Sequence, residues 1–331
     1  MQFDRLKRRD FITLLGGAAA SWPLAARAQQ KIPVIGFLQP TGPEEAAARV
    51  AAFRKGLSET GYEEGRNVTI EYRWAGYDNA KLPELAADLV RRRVAVIAAP
   101  ASTPAALAAK ASTTTIPVVF SIGTDPVEIG LVLSLNQPGS NVTGFTTMNG
   151  QLTGRQLGLL HELLPSAASF AVLINPSNSA GTIVTKDAQE AGAALGRQIV
   201  MLTADSPRAI IAAFAALKAN HADGLLVSAD IMFDSHPTLI ATLAARDLVP
   251  TLSFDRSFVE AGGLMSYGTS VANAVRQTGI LVGRILKGEK PADMPVARPT
   301  KFEFVINLLT ATVIGLDVPA TLTARADEVI E

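Results

Sequence analysis

Two short segments of this 331-residue chain carry residue types suited to holding an anion. Ser102-Thr103-Pro104 and Thr124-Asp125-Pro126 each place hydroxyl or carboxylate side chains just ahead of a proline. That order starts helices, because Ser, Thr or Asp caps the free N–H groups and proline, lacking an N–H, fits the first turn. The same N–H groups make a donor set for a carboxylate when they face a cleft. Asp125 would repel an anion, and either segment also reads as a cap and nothing more. Asp230 and Asp255 each follow an apolar run. A carboxylate there suits a ligand ammonium or hydroxyl, or else a helix cap or hinge salt bridge. Asn178 either caps the following helix or donates to a ligand. Gln39 and Thr41 lie at the end of the first apolar run. Tyr267, with Phe37, Phe233 and Phe254, either flanks an apolar ligand group or packs in a core. The ligand-binding candidates are thus Gln39, Thr41, Ser102, Thr103, Thr124, Asp125, Asn178, Asp230, Asp255 and Tyr267.

None of these residues completes a catalytic pattern. Neither a Gly-x-Gly-x-x-Gly fingerprint nor a phosphate loop occurs. Leu264-Met265-Ser266-Tyr267-Gly268 misses the nucleophile elbow, since Leu264 stands at its first glycine. His161, His221 and His236 are scattered without metal-ligand spacing, and the chain has no cysteine. The sequence therefore leads us to expect no enzyme activity, no metal and no cofactor. Lys and Arg number 30, as do Asp and Glu. Without the first 28 residues, 25 bases face 28 acids, a net charge of −3. That balance argues against a nucleic-acid or anionic-membrane surface.

The candidates need a scaffold, and the chain nearly repeats one at a spacing of about 135 residues. Leu38-Gln39-Pro40 is matched by Ile174-Asn175-Pro176, Gly61 by Gly196, and Ile116-Pro117 by Val249-Pro250. Each half alternates short apolar runs with segments of helical spacing, which predicts parallel sheets with right-handed crossovers. The expected fold class is α/β, with two Rossmann-like lobes and a ligand cleft between them. Ligands of such sheets bind beyond the carboxyl ends of the strands, where most of the candidates stand.

The amino terminus reads as an export signal. Lys7-Arg8-Arg9-Asp10-Phe11 precedes a short apolar core, and Ala26-Arg27-Ala28 supplies a small-x-small cleavage pattern. The arginine pair resembles a twin-arginine signal, although Lys7 stands where Ser or Thr is usual; a general secretory signal is the alternative. Cleavage near Ala28 would leave a periplasmic protein.

Longer stretches carry a family resemblance. They include Gly61-Tyr62-Glu63-Glu64-Gly65-Arg66-Asn67-Val68, Pro138-Gly139-Ser140-Asn141-Val142-Thr143-Gly144, Glu260 to Gly268, and Gly283-Arg284-Ile285-Leu286-Lys287-Gly288. Across the mature chain the sequence resembles the periplasmic substrate-binding proteins of ABC transporters, the group labelled tryptophan/tyrosine-type. The resemblance implies a class I periplasmic-binding-protein fold with three hinge crossings, near Phe145–Asn149, near Gly268–Ser270 and between Pro291 and Pro299. Lobe 1 would comprise residues 29–147 plus about 270–295, and lobe 2 residues 148–269 plus about 296–331. Ser102, Thr103 and Thr124 match the residues that hold the solute carboxylate in similar proteins, while Asp230, Asp255 and Tyr267 match the second-lobe contacts. The function implied is capture of a small organic solute, such as an amino acid or aromatic carboxylate, by a monomer that delivers it to an inner-membrane permease. A ligand-presenting sensor and an exported small-molecule enzyme are the alternatives.

Overall fold

The computed structural model describes residues 32–331, so the expected export signal at residues 1–28 lies outside the described residues. The first sheet contains β1 (Val34–Gln39), β2 (Thr69–Trp74), β3 (Val96–Ala99), β4 (Val118–Ile122) and β5 (Val142–Thr146), in the order β2-β1-β3-β4-β5. All its pairings are parallel. Between these strands run α1 (Ala47–Glu59), α2 (Leu82–Arg91) and α3 (Thr103–Ser112).

The second sheet contains β6 (Ser169–Ile174), β7 (Gln198–Thr203), β8 (Gly224–Val227), β9 (Thr251–Ser253), β10 (Met265–Gly268), β11 (Glu303–Asn307) and β12 (Glu328–Ile330). Its order, β12-β11-β10-β9-β8-β6-β7, repeats that of the first sheet and adds two strands at one edge. The one antiparallel pairing among these strands joins β10 to β11, because the chain reaches β11 only after running back along the first sheet. Its helices begin with α4 (Thr153–Leu163), α5 (Gly181–Leu195), α6 (Pro207–Ala219), α7 (Ile231–Asp234), α8 (Pro237–Arg246) and α9 (Arg256–Glu260). Then follow α10 (Val271–Leu286), α11 (Leu308–Val313) and α12 (Ala320–Thr323).

The central strands are apolar throughout because both sheet faces are covered. Alternation sorts their side chains: Leu38, Ile97 and Val118 join one core, while Phe37, Val96 and Val119 join the core on the other face. In the second sheet Ala171 and Leu173 are separated in the same way from Phe170 and Val172.

Helix α10 follows a strand of the second sheet but packs on the first, placing Val275, Val282 and Ile285 against Ile35, Phe37 and Phe53. Glycines make that contact close. A Cβ on Gly56 would stand 1.9 Å from the Arg276 carbonyl oxygen, and one on Gly279 would stand 2.3 Å from that of Phe53.

Three segments connect the sheets. The first follows β5, where Met148 takes a left-handed backbone (φ 56°). The second follows β10, and the two are laced together by Asn149. Its amide nitrogen donates to the Thr269 carbonyl at 3.1 Å, and its amide oxygen accepts from the Thr269 N–H at 2.8 Å. The third runs beside β5, with the Ala297 N–H donating to the Gly144 carbonyl at 3.0 Å, before entering β11. The chain thus stays with the first sheet through Ala297.

Candidate functional site

A cleft of about 780 Å³, counting its open mouth, lies between the two sheets. The loops that follow β1, β2, β3 and β4 form one wall, and those that follow β6, β7, β8 and β9 form the other. Ligand space thus lies beyond the carboxyl ends of the strands, as open parallel sheets require.

The N-terminus of α3 supplies the first wall. Ala101 adopts a left-handed backbone (φ 56°) that turns the chain sharply from β3 into the helix. Its N–H donates to Ser121 Oγ at 2.9 Å, and the Ser102 N–H donates to the Ser121 carbonyl at 3.2 Å. Ser102 Oγ accepts from the Ala105 N–H at 3.2 Å, leaving its own proton free to donate. Ser102 and Thr103 are both buried on the cleft lining. Thr124 stands behind them, its hydroxyl 3.4 Å from that of Thr103.

The second wall carries Asp230, which caps α7 through the Met232 N–H at 2.8 Å. Asn175 and Asn178 donate their side-chain amides to its two oxygens at 3.0 and 2.7 Å. Burial nonetheless holds this carboxyl above the usual carboxylate range, with those three donors pulling the other way. Asp205 and Asp234 also line the cleft; no Lys, Arg or His is among the described lining residues, but Arg49 pairs with Asp234 from just outside that lining. Asp205 and Asp230, which pair with no Lys or Arg among the described residues, leave the lining suited to a cationic group. Tyr77, Ile122, Met232, Phe254 and Val271 give it an apolar part.

Of the ten candidates from sequence, the structure brings Ser102, Thr103, Asn178 and Asp230 together on the lining. Gln39 is fully buried beside it and donates its side-chain amide to the Pro100 carbonyl. Thr41 accepts from Arg49 at 3.2 Å. Asp125 caps a turn through the Val127 N–H at 2.8 Å. Asp255 accepts from the N–H groups of Ser257 and Val271 at 2.9 and 2.8 Å, tying α9 to the start of α10. Tyr267 lies in the second core between Phe302 and Phe304, with the Arg155 guanidinium 5.1 Å from its ring centroid.

Among the residues that escaped the sequence reading are Tyr77, Asn79, Arg49 and Asp234. Tyr77 and Asn79 follow β2, whose carboxyl end the strand-end rule already pointed to. Arg49 and Asp234 gave no local signal, since one sits in a helix and the other in a four-residue helix, and they meet only across the cleft, at 2.7 Å. Asn79 also bonds across it, from its amide to the Ser177 carbonyl at 2.9 Å.

Comparisons with known proteins agree with the two-lobe fold. The chain is 28% identical to a tyrosine-binding protein of Clostridioides difficile (strain R20291), over 77% of this chain and 73% of that protein. It is 28% identical to a conserved domain protein from Vibrio cholerae of known structure, covering 90% of this chain and 100% of that one with a TM-score of 0.81. An ABC domain from Streptococcus pneumonia in complex with L-Trp is 25% identical, with 90% and 99% covered and a TM-score of 0.79. Against the ligand-free, open structure of a substrate binding protein from Clostridium difficile, also 25% identical over 90% and 99%, the TM-score is 0.60. The sequence model of ABC transporter substrate binding proteins matches residues 31–330, and the chain belongs to that family.

Proposed function

We propose that this solute-binding receptor of an ABC importer captures an α-amino acid with an apolar, aromatic-sized side chain. One observation carries the reading: the two walls are complementary to a zwitterion. The α3 N-terminus with the Ser102 and Thr103 hydroxyls offers donors to a carboxylate. Asp230, buried and restrained by two asparagines, offers a fixed anion to an ammonium. An ammonium placed there would offset the cost of burying that carboxylate. The relatives that bind tyrosine and L-Trp support the same class.

Capture would proceed by closure of lobes 29–147 plus about 270–295 and 148–269 plus about 296–331 about their connections. Closing excludes water, which strengthens each polar contact with the ligand. Only contacts absent from the open form favour the closed one. The receptor would work outside the inner membrane and pass its ligand unchanged to a permease. Among the described residues, no helix is long and apolar enough to cross a membrane.

Isothermal calorimetry of residues 29–331 tests the reading with L-tryptophan, L-tyrosine, L-phenylalanine and L-glutamate. At least one aromatic amino acid should bind, L-glutamate should not, and N-acetylation or methyl esterification should each abolish binding. Equal binding of N-acetyl-L-tryptophan, or no binding by any amino acid, would reject it.

A further inference from the structure

We propose that Arg49 and Asp234 form a closure clasp, a buried ion pair made only when the lobes meet, which retards reopening and so sets how long ligand is held. Arg49 lies on α1, beside the first sheet, and Asp234 ends α7, which follows β8 of the second. They are 185 residues apart in sequence and are joined through the connections between the sheets. Their side chains are 5% and 10% exposed, so solvent screens their attraction little.

The guanidinium reaches both lobes at once. On its own side, Nη2 donates to the Glu45 carbonyl at 2.9 Å and to Thr41 Oγ1 at 3.2 Å. Across the cleft, Nη1 donates to Asp234 at 2.7 Å and Nη2 to Ser235 Oγ at 2.9 Å. The bonds to Glu45 and Thr41 come from its own lobe, so they can hold the arginine before closure, and closing would then order little that was free. Tyr77 adds contact between the lobes, its ring 5.7 Å from that of His236.

The second lobe supplies a reason for the arginine. Burial raises the cost of keeping Asp234 ionised, and Asp255 and Asp230 add to it as like charges. Arg49 is the opposing charge, and it comes from the other lobe. Its arrival on closure relieves that crowding, and reopening must break the pair.

The test uses the absence of natural cysteines. Lys55→Cys and Lys186→Cys, both exposed and on opposite lobes, carry a fluorescent donor and acceptor. In ligand-free protein, Arg49→Met should lower the closed population, and with L-tryptophan as probe it should speed dissociation ~10-fold or more while changing association little. With Asp234→Asn already in place, the same substitution should have little effect, because the charge it leaves unpaired is gone. Arg49→Lys, which keeps the charge and loses the fork, should shift both readings less in the same direction and replaces Arg49→Met should the latter fail to fold. Equal effects in both backgrounds, or an unchanged interlobe distance, would overturn the clasp. The ligand arm rests on the amino-acid reading. The distance measurement needs no ligand, so it decides the clasp even if L-tryptophan does not bind.

Discussion

Ser102 serves two ends with one oxygen, accepting the Ala105 N–H as a cap while its proton remains available to the cleft. Converting Ser102 and Thr103 together to alanine should therefore weaken an amino-acid ligand by ~1–3 kcal/mol, by calorimetry. Unchanged affinity would remove the two hydroxyls from the site. Asp234 makes a different prediction. Burial pushes its carboxyl up to about 6 from an ordinary 3.8, so between those values the native protein binds a proton that the unfolded chain does not. Stability from this group is fully present below 3.8 and is lost as pH rises through 6. Asp230, also raised by burial, acts in the same direction. Asp88, Asp247 and Asp327 are held low by basic partners and titrate below this window. The midpoint of thermal unfolding should accordingly rise from pH 7 to pH 5, and rise less in Asp234→Asn. The same rise in both proteins would clear Asp234 of the effect.

At the scale of elements, the contact of α1 with α10 makes a sequence-distant part of the chain one body with the first sheet. Gly56 is where that contact leaves no room, the obstacle being the Arg276 backbone rather than a movable side chain. Gly56→Ala should cost ~2 kcal/mol or more in urea unfolding, through displacement of α10. A variant as stable as the parent would mean that the helices separate freely. Most elements were legible in the sequence. The segment from Pro104 to Ala111 read as a helix and spans Thr103–Ser112, and the Val271 helix ends within a residue of its expected end. Apolar runs of strand length, glycine at a helix end such as Gly196 (φ 65°) and Ser-x-Pro starts are local signals with local causes. Helices α7 and α9 were not legible, because four or five residues are too few to show a period. Strands β11 and β12 were missed for a related reason: β11 is made a strand by pairing with β10, and β12 by pairing with β11, each partner well removed in sequence.

The whole molecule is a pair of similar sheets facing one another, and its behaviour as a receptor depends on relative position. Adding an aromatic amino acid that binds should raise the closed population in the labelled protein, and Arg49→Met should need more ligand to reach the same point. The sequence by itself determined the two-lobe α/β architecture, the strand-end loops that carry Ser102, Thr103, Asn178 and Asp230, and the family. Periodicity, capping and strand-end position are properties of a few consecutive residues, so they survive without coordinates. Only the tertiary structure decided that Tyr267 packs in a core, that Asp255 ties α9 to α10, and that Arg49 meets Asp234. Each of those outcomes is a contact between residues widely separated in the chain, and such contacts are set by how finished elements pack.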